Sequence, residues 1–192
     1  KTDLKVLMNK IEESLLKDLK KFNLIKKKLV IGFSGGGDST ALIIALSKIQ
    51  KIIPELYFEA FHVNYGLRKD SDRDEKFVKH ICNKLKIKLT SKNIKKENIN
   101  IEGESENELR ELRYHLISKY ILKSEYYCLL TAHNLNDHIE TFLMKLSRGA
   151  GLKGMEGMNE YSILDEFEEL KIYRPFLKVK KEDLLEYCVM NN

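Results

Sequence analysis

Residues 31–42 combine a buried-strand pattern with the residue types that hold a phosphate group. An apolar run ends in three consecutive glycines, which are followed by Asp38 and by Ser39. Glycine lets the backbone adopt positive φ and bring several N–H groups close to an anion. An apolar helix predicted over 39–50 directs its unpaired N–H groups and its positive dipole end at the same place. We therefore expect a nucleotide phosphate here; for the glycines alone, a plain strand-to-helix turn is an equal alternative. The glycines are Gly35, Gly36 and Gly37.

Asp38 points to a metal ion as well as to a phosphate. An acid inside an anion site repels phosphate unless a cation lies between them, so Mg²⁺ bound to Asp38 and bridging to phosphate oxygens is the predicted arrangement. The alternative is that Asp38 only caps the helix. The loop matches neither Gly-x-x-x-x-Gly-Lys-Ser/Thr nor Gly-x-Gly-x-x-Gly. Chemistry other than γ-phosphoryl or hydride transfer is therefore predicted.

Two further groups of polar residues follow predicted strands. His62 and Asn64 alternate about an apolar residue, which places both on one face of a strand end; for His62 alone, a structural role is the simpler interpretation. His133, Asp137 and Glu140 are spaced by four and by three, so they can share one surface of a helix. A zinc site is disfavoured here, because no third ligand with metal-site spacing is visible.

The elements that must position these residues alternate regularly between strand and helix. This pattern predicts an α/β protein with a Rossmann-like, doubly wound, mostly parallel five-stranded sheet and helices on both faces. In such a sheet ligands collect at the carboxyl ends of the strands, near the switch in strand order. Strands are predicted over 29–33, 57–63, 87–90, 128–132 and 171–173, and helices over 3–22, 39–50, 70–85, 105–121, 135–146 and from 181.

Composition narrows the class of protein. The 192 residues, 43% hydrophobic and 33% charged, predict one globular domain, in which residues 1–27 form a leading amphipathic helix and a basic connector. The net charge of +5 permits RNA binding without demonstrating it. We find no apolar run of about 18 residues and no export signal, so we expect a cytoplasmic protein with no membrane partner. The three cysteines form no Cys-x-x-Cys pair, which disfavours the simplest metal, cluster and dithiol sites.

The motifs resemble those of a known family. The glycine loop, residues 34–39, resembles the Ser-Gly-Gly-x-Asp-Ser loop of the PP-loop ATP pyrophosphatases, which adenylate a substrate and release pyrophosphate. Residues 62–68 and 132–141 resemble His-Val-Asn-His-Gly-Leu-Arg and Ala-His-His-x-Asp-Asp-Gln-x-Glu-Thr of the tRNA(Ile)-lysidine synthases. Residues 106–114, with Glu-x-x-x-Arg-x-x-Arg-Tyr, are also similar to that family. So are residues 146–152, with Leu-x-Arg-Gly-x-Gly-Leu, and the Arg-Pro-Phe-Leu of residues 174–177.

The resemblance implies an adenine nucleotide alpha hydrolase-like fold and a specific reaction. ATP, Mg²⁺ and L-lysine would convert the wobble cytidine of tRNA(Ile) with a CAU anticodon to lysidine through an adenylated cytidine, releasing pyrophosphate and then AMP. It also allows a homodimer. The implied ATP-binding residues are Ser34, Gly35, Gly36, Gly37, Asp38, Ser39, His62 and Asn64.

The resemblance also implies roles in catalysis. Asp38 and Asp137 would hold Mg²⁺, His133 is a candidate base, and Asp137 or Glu140 would anchor the lysine ammonium group. Arg113 and Arg148 would bind phosphates of ATP or tRNA through planar donor forks. Surface ion pairs with neighbouring glutamates are an equal alternative for Arg110, which lies on the same predicted helix.

Four residues depart from the family pattern, and two other functions stay open. The sequence ends at Asn192 where the family continues, so we expect the N-terminal catalytic domain of a longer protein. A tRNA thiolase of the same superfamily is one alternative, disfavoured by the isolated cysteines. A noncatalytic nucleotide-binding module is the other, disfavoured by the intact Asp38. The departures are Tyr65 and Asn134 in place of histidines, Asn136 in place of an aspartate and His138 in place of a glutamine.

Overall fold

The computed structural model describes residues 8–67, 71–99, 105–149 and 157–191. Six strands and six helices alternate along these segments, with a 3₁₀ helix at Asp165–Phe167. The strands are β1 (Lys28–Gly32), β2 (Tyr57–Asn64), β3 (Leu89–Asn93), β4 (Cys128–Leu130), β5 (Tyr161–Leu164) and β6 (Leu170–Tyr173). The helices are α1 (Lys10–Lys21), α2 (Gly37–Ile52), α3 (Ser71–Leu85), α4 (Glu106–Lys123), α5 (Leu135–Ser147) and α6 (Lys181–Met190).

The strands form one sheet in the order β3-β2-β1-β4-β6-β5. All neighbouring pairs are parallel except β5 with β6, which is antiparallel. The predicted α/β class with a doubly wound, mostly parallel sheet is confirmed, but the predicted count of five strands is wrong. The missed strand is β5, at the edge of the sheet. None of its residues is fully buried, so no continuous apolar run marks it in the sequence.

The core lies on both faces of the sheet, as the alternation of side chains along β1 shows. Leu29 and Ile31 are fully buried against a cluster that includes Leu15 and Leu19 of α1 and apolar residues of α2, α3 and α6. Val30 points to the other face and packs in a second cluster, to which α4 contributes. The prediction of helices on both faces is therefore confirmed.

Local capping moves several predicted helix boundaries. Helix α1 begins at Lys10 rather than at residue 3, because Asn9 forms a capping box with Glu12; residues 1–7 lie outside the described residues. Helix α2 begins at Gly37, two residues earlier than predicted, with Gly36 as its N-cap. Strand β3 begins at Leu89 rather than at residue 87, since Lys86 adopts a φ of 57° where α3 ends. None of the helices in the described part of the chain is long and apolar enough to cross a membrane.

The strand order reverses at β1, which pairs with β2 on one side and with β4 on the other. The loops that follow β1 and β4 therefore border the same crevice at the carboxyl edge of the sheet, where ligands of doubly wound proteins bind. The glycine loop follows β1, and His133 and Asn134 follow β4. The fold thus brings two of the predicted polar groups to one place.

Candidate nucleotide-binding site

The glycine loop needs its glycines for different reasons. Gly35 has a φ of +90°, and a Cβ there would lie 3.2 Å from Val78 Cγ2. Gly36 has a φ of −72° as the N-cap of α2, and a Cβ at Gly37 would lie 2.6 Å from Leu185 Cδ2. Of these three glycines, only Gly35 therefore uses the positive φ that we expected of the loop. A Cβ at Gly37 would instead have to displace the half-exposed side chain of Leu185 on α6.

Hydroxyl groups hold the loop closed around the start of α2. The hydroxyl oxygens of Ser34 and Ser39 are 3.0 Å apart. Ser39 and Thr40 both donate to the Gly36 carbonyl oxygen, at 3.0 and 2.9 Å. Among the described residues, no side-chain hydrogen bond caps the N-terminus of α2. Its first-turn N–H groups are consequently open to an anion, in a loop whose shape is already fixed.

Asp38 lies in the first turn of α2, so the alternative that it caps the helix is wrong. Its Oδ2 accepts a hydrogen bond of 3.1 Å from Asn134 Nδ2. Its Oδ1 is buried and has no partner among the described residues. Burial raises the pKa of Asp38, Asp137 raises it further, and the positive charge of Lys181 opposes the rise. A buried carboxylate oxygen without a donor is what a metal ligand presents before the cation binds.

Asn134 connects Asp38 to the start of α5. Its Oδ1 accepts from the N–H groups of Asn136 and Asp137, at 2.8 and 3.2 Å. Asp137 Oδ2 in turn accepts from the Asn134 N–H at 2.9 Å, which completes a capping box. The fully buried Asn134 side chain thus fixes the position of Asp38 relative to Asp137. Sequence analysis recorded Asn134 only as a departure, although the Asn-x-x-Asp spacing signals a capping box.

The residues present fit Mg²⁺ better than a transition metal. No group of three or more His, Cys, Asp and Glu side chains in the described ranges could hold a metal ion by itself. Mg²⁺ is usually bound by one or two carboxylates together with substrate phosphates and water. Asp38 and Asp137, beside the open N-terminus of α2, supply that kind of donor set.

His133 is brought to this crevice as a neutral imidazole. Its Nδ1 lies 2.8 Å from Thr131 Oγ1. Burial lowers the pKa of His133 to about 4; Arg174, Arg113 and Arg110 add to the effect, and Asp137 opposes it. The ring is therefore uncharged at neutral pH and can exchange hydrogen bonds with a bound group.

His62 and Asn64 leave β2 with different environments. His62 Nδ1 donates to the Phe33 carbonyl at 2.8 Å, which leaves the buried Nε2 as an acceptor with no partner among the described residues. Burial lowers the pKa of His62 and favours this neutral form. Asn64 instead donates to Glu75 Oε2 at 2.7 Å and accepts from the Gly66 N–H. Its side chain therefore stabilises the loop after β2.

Glu75 on α3 is a buried residue that sequence analysis missed. It accepts hydrogen bonds from the side chains of Asn64, Lys79, Ser91 and Asn93. These donors lower the pKa of Glu75 to about 2, the Lys79 hydrogen bond having the largest effect. Because α3 carries many charged residues, no sequence signal distinguishes Glu75 from an exposed acid.

The remaining predicted residues lie at different distances from the crevice. Arg113 on α4 is half-buried, with its guanidinium 5.6 Å from the centre of the Tyr114 ring. Glu140 is exposed on α5, one turn beyond Asp137. Arg148 is exposed at the C-cap of this 13-residue helix, about 20 Å from its start. The structure thus gathers Asp38, Asp137, His133 and Arg113, but it does not bring Arg148 to them. Residues 150–152 of the same motif lie outside the described residues.

Comparisons with known families and proteins agree with this geometry. A family described as "PP-loop domain" matches residues 7–192. The tRNA(Ile)-lysidine synthase of Buchnera aphidicola subsp. Schizaphis graminum is 38% identical over 167 residues, which are 87% of this chain and 36% of that protein. The protein of the same name from Petrotoga mobilis is 30% identical, over 97% of this chain and 59% of its own length. The resemblance predicted from the motifs is confirmed, while the chain spans little more than a third of most of these relatives.

Solved structures show the same fold at low sequence identity. The U34-tRNA thiolase NcsA from Methanococcus maripaludis has a TM-score of 0.77 and 19% identity, over 94% of this chain and 63% of that one. The NH₃-dependent NAD synthetase from Campylobacter jejuni has a TM-score of 0.58 and 13% identity, over 96% of this chain and 74% of that one. At these identities the likeness concerns the fold alone.

Proposed function

Because the chain belongs to the PP-loop domain family, we propose that it uses ATP to convert the wobble cytidine of tRNA(Ile) with a CAU anticodon to lysidine. The observation that carries this proposal is the unpartnered Oδ1 of Asp38, held by Asn134 beside the uncapped start of α2. The relatives named tRNA(Ile)-lysidine synthase support the choice of RNA and product.

In this proposal the glycine loop receives the pyrophosphate part of ATP. The first-turn N–H groups of α2 donate to its oxygens, and the loop hydroxyls keep those donors in place. Asp38 and Asp137 would hold Mg²⁺, which when bound offsets negative charge on the leaving pyrophosphate. Neutral His62 offers its Nε2 as an acceptor to a donor group of the nucleotide.

The reaction then has two displacement steps. The cytosine C2 oxygen attacks the α-phosphorus of ATP, and the bond to pyrophosphate breaks. The amine nitrogen of L-lysine next forms a bond to C2, the C2–O bond breaks, and AMP leaves. Arg113 suits stabilisation of phosphate charge in both steps through its donor fork.

The lysine amine must lose a proton before it attacks, and His133 is a weak acceptor for it. A free lysine ammonium group has a pKa of about 10.4, far above the value of about 4 for His133. We therefore assign His133 as a neutral hydrogen-bond partner of the reacting groups rather than as a general base. Asp137 and the exposed Glu140 stay as candidate anchors for the ammonium group.

Sulfur transfer, the chemistry of a thiolase, is less well supported. Cys82 and Cys128 are buried, and burial raises their pKa values to about 11 and about 12. Burial also raises the pKa of Cys188. Thiols of this kind are poor nucleophiles, because the thiolate is the reactive form. The predicted single catalytic domain, the homodimer and the cytoplasmic location stay predictions.

The proposal is tested by incubating the intact protein with tRNA(Ile) bearing a CAU anticodon, ATP, Mg²⁺ and labelled L-lysine. Nuclease digestion and mass spectrometry should find the label in the wobble nucleotide. If AMP and pyrophosphate form without lysine incorporation, adenylation stands and a different second substrate is required. If neither product forms, the proposed reaction is wrong.

A further inference from the structure

Three arginines that act on His133 have no acidic partner in the described part of the chain. Arg110 and Arg113 lie on α4, and Arg174 follows β6 directly; together they are the arginine cluster. The side chain of Arg174 is almost fully buried, at 4% exposure. Its Nη1 donates to the Asn159 carbonyl at 2.9 Å and to Ser162 Oγ at 2.5 Å, both of which are neutral. Its Nε is buried without any partner in the described part of the chain.

Such a charge is costly to bury unless an anion balances it. Among the ion pairs of the described residues, none involves Arg110, Arg113 or Arg174. Arg110 is exposed on α4 with its guanidinium 5.3 Å from the centre of the Tyr114 ring. The alternative that Arg110 makes surface ion pairs therefore finds no support among its described neighbours.

The arginine cluster lies next to the reacting groups. All three arginines lower the pKa of His133, and Arg110 also lowers that of Arg174, so the four side chains share one electrostatic environment. His133 is followed directly by Asn134, which binds Asp38. The arginine cluster and Asp38 are thus both linked to the short segment of His133 and Asn134 that follows β4.

We propose that the arginine cluster binds a second phosphate group, separate from the pyrophosphate held by the glycine loop. Arg110 and Arg113 supply exposed or half-buried donor forks, and buried Arg174 supplies a fixed positive charge behind them. The phosphate is either a phosphodiester of the RNA or the α-phosphate of the nucleotide. The choice of an RNA phosphodiester rests on the proposed function, whereas the argument from the unpaired charge of the arginines does not.

The test compares Arg110→Met with Lys119→Met in the intact protein. Lys119 is exposed on the same helix, nine residues along, or about 13 Å away, and its replacement removes the same charge. One arm measures binding of a CAU anticodon stem-loop RNA over a range of salt concentrations. The other measures binding of ATP and of AMP without RNA.

If the ligand is RNA, Arg110→Met weakens stem-loop binding about five- to tenfold and reduces the slope of log K against log salt by about 1. If it is the α-phosphate, the same loss appears with ATP and AMP. Lys119→Met should change neither arm. Equal effects of the two variants, or no effect of Arg110→Met in either arm, overturn the proposal.

Arg174 is tested separately because it also holds residues 159 and 162. Arg174→Lys keeps the charge and loses the fork, whereas Arg174→Met loses both. If the two variants have the same thermal stability, Arg174→Met should bind phosphate more weakly than Arg174→Lys does. Equal phosphate binding by the two variants would mean that Arg174 has only a structural role, and it would overturn the proposal that Arg174 contributes to the phosphate site. Absence of lysidine with arginine-dependent phosphate binding intact would overturn the proposed function and leave this site standing.

Discussion

Replacing Asn134 by aspartate tests whether Asp38 faces a cation. The amide Nδ2 donates to Asp38 over 3.1 Å, while Oδ1 caps α5. Aspartate is about as good an N-cap as asparagine. Asn134→Asp therefore keeps the cap and replaces the donor by a second carboxylate directly against the first.

The expected cost follows from the distance. Two unit charges 3.1 Å apart repel by about 5 kcal/mol at an effective dielectric constant of about 20, and by about 1.3 kcal/mol in bulk water. The side chain of Asp38 is partly exposed. The repulsion energy should therefore lie in the lower half of the range between these two values. Loss of a hydrogen bond to a charged group adds about 1.5–3 kcal/mol. At about 2–4 °C per kcal/mol for a domain of this size, Tm should fall by at least about 5 °C without metal.

Thermal unfolding at neutral pH in EDTA and in saturating MgCl₂ gives the assay. A cation between the two carboxylates turns their repulsion into joint coordination, so Mg²⁺ should raise the Tm of Asn134→Asp by several degrees. Asn134→Ser is the matched control, because serine also caps the helix but adds no charge. If Mg²⁺ stabilises Asn134→Asp no more than Asn134→Ser, no metal binds beside Asp38 and the assignment is refuted.

Three further changes probe the site and its support. Asp38→Asn should reduce pyrophosphate release by at least about 100-fold with the fold intact by circular dichroism, because a metal ligand is lost; normal turnover would contradict the metal assignment. Gly35→Ala should lower stability by about 1–2 kcal/mol, since Gly35 has a φ of +90° and a Cβ would lie 3.2 Å from Val78. Gly36→Ala, at a φ of −72°, is its control and should stay within about 0.5 kcal/mol in denaturant unfolding. The pKa of Glu75 is lowered from 4.5 to about 2, so its contribution to stability is present above about pH 4.5 and is lost as the pH falls through about 2. Glu75→Gln should therefore show a shallower loss of unfolding free energy across that range; an unchanged slope would argue against the network.

The sequence was sufficient for the parts of the fold that depend on local pattern. The run 29–33 is uniformly apolar and largely buried, so continuous hydrophobicity marks it. The segment 57–63 is also largely buried, although Glu59 and His62 interrupt its apolar residues. The glycine loop between β1 and α2 was also evident, because glycine and acid at that spacing have few structural explanations. Strand β5 was not, since its exposed edge position leaves it without an apolar run.

The parts of the site that sequence analysis missed depend on tertiary contacts. Glu75 is an ordinary charged residue in the sequence, and Arg174 was noted only as part of the Arg-Pro-Phe-Leu motif. The fold buries Glu75 among hydrogen-bond donors, and it buries Arg174 without an acidic partner among the described residues. Asn64 stays a predicted nucleotide-binding residue, and its amide also binds a carboxylate that α3 supplies. Burial raises the pKa of Asp38 and the charge of Lys181 opposes that rise, an effect that depends on the fold because α2 and α6 are far apart in the sequence.

Two of the residues that depart from the family pattern tie loops to helices. The Tyr65 hydroxyl donates to the Leu109 carbonyl at 2.8 Å and ties the loop after β2 to α4. His138 Nδ1 accepts from the Met158 N–H at 3.2 Å and ties α5 to the segment before β5. These side chains therefore connect neighbouring elements of the fold.

The other two departures change the charge balance of the metal site. Asn134 and Asn136 place amides where the family has a histidine and an aspartate, and both amides hold helix ends, since Asn136 Oδ1 accepts from the Lys181 N–H. In the proposed metal site, Asp38 and Asp137 are then the carboxylates of the described residues that would offset the charge of Mg²⁺ together with the phosphates. A site with two carboxylates has no spare ligand. We therefore expect Asp137→Asn to weaken Mg²⁺-dependent pyrophosphate release nearly as much as Asp38→Asn does. Since Asn at 137 can still accept the Asn134 N–H, an activity loss without loss of Tm would separate the metal role of Asp137 from its role in the capping box.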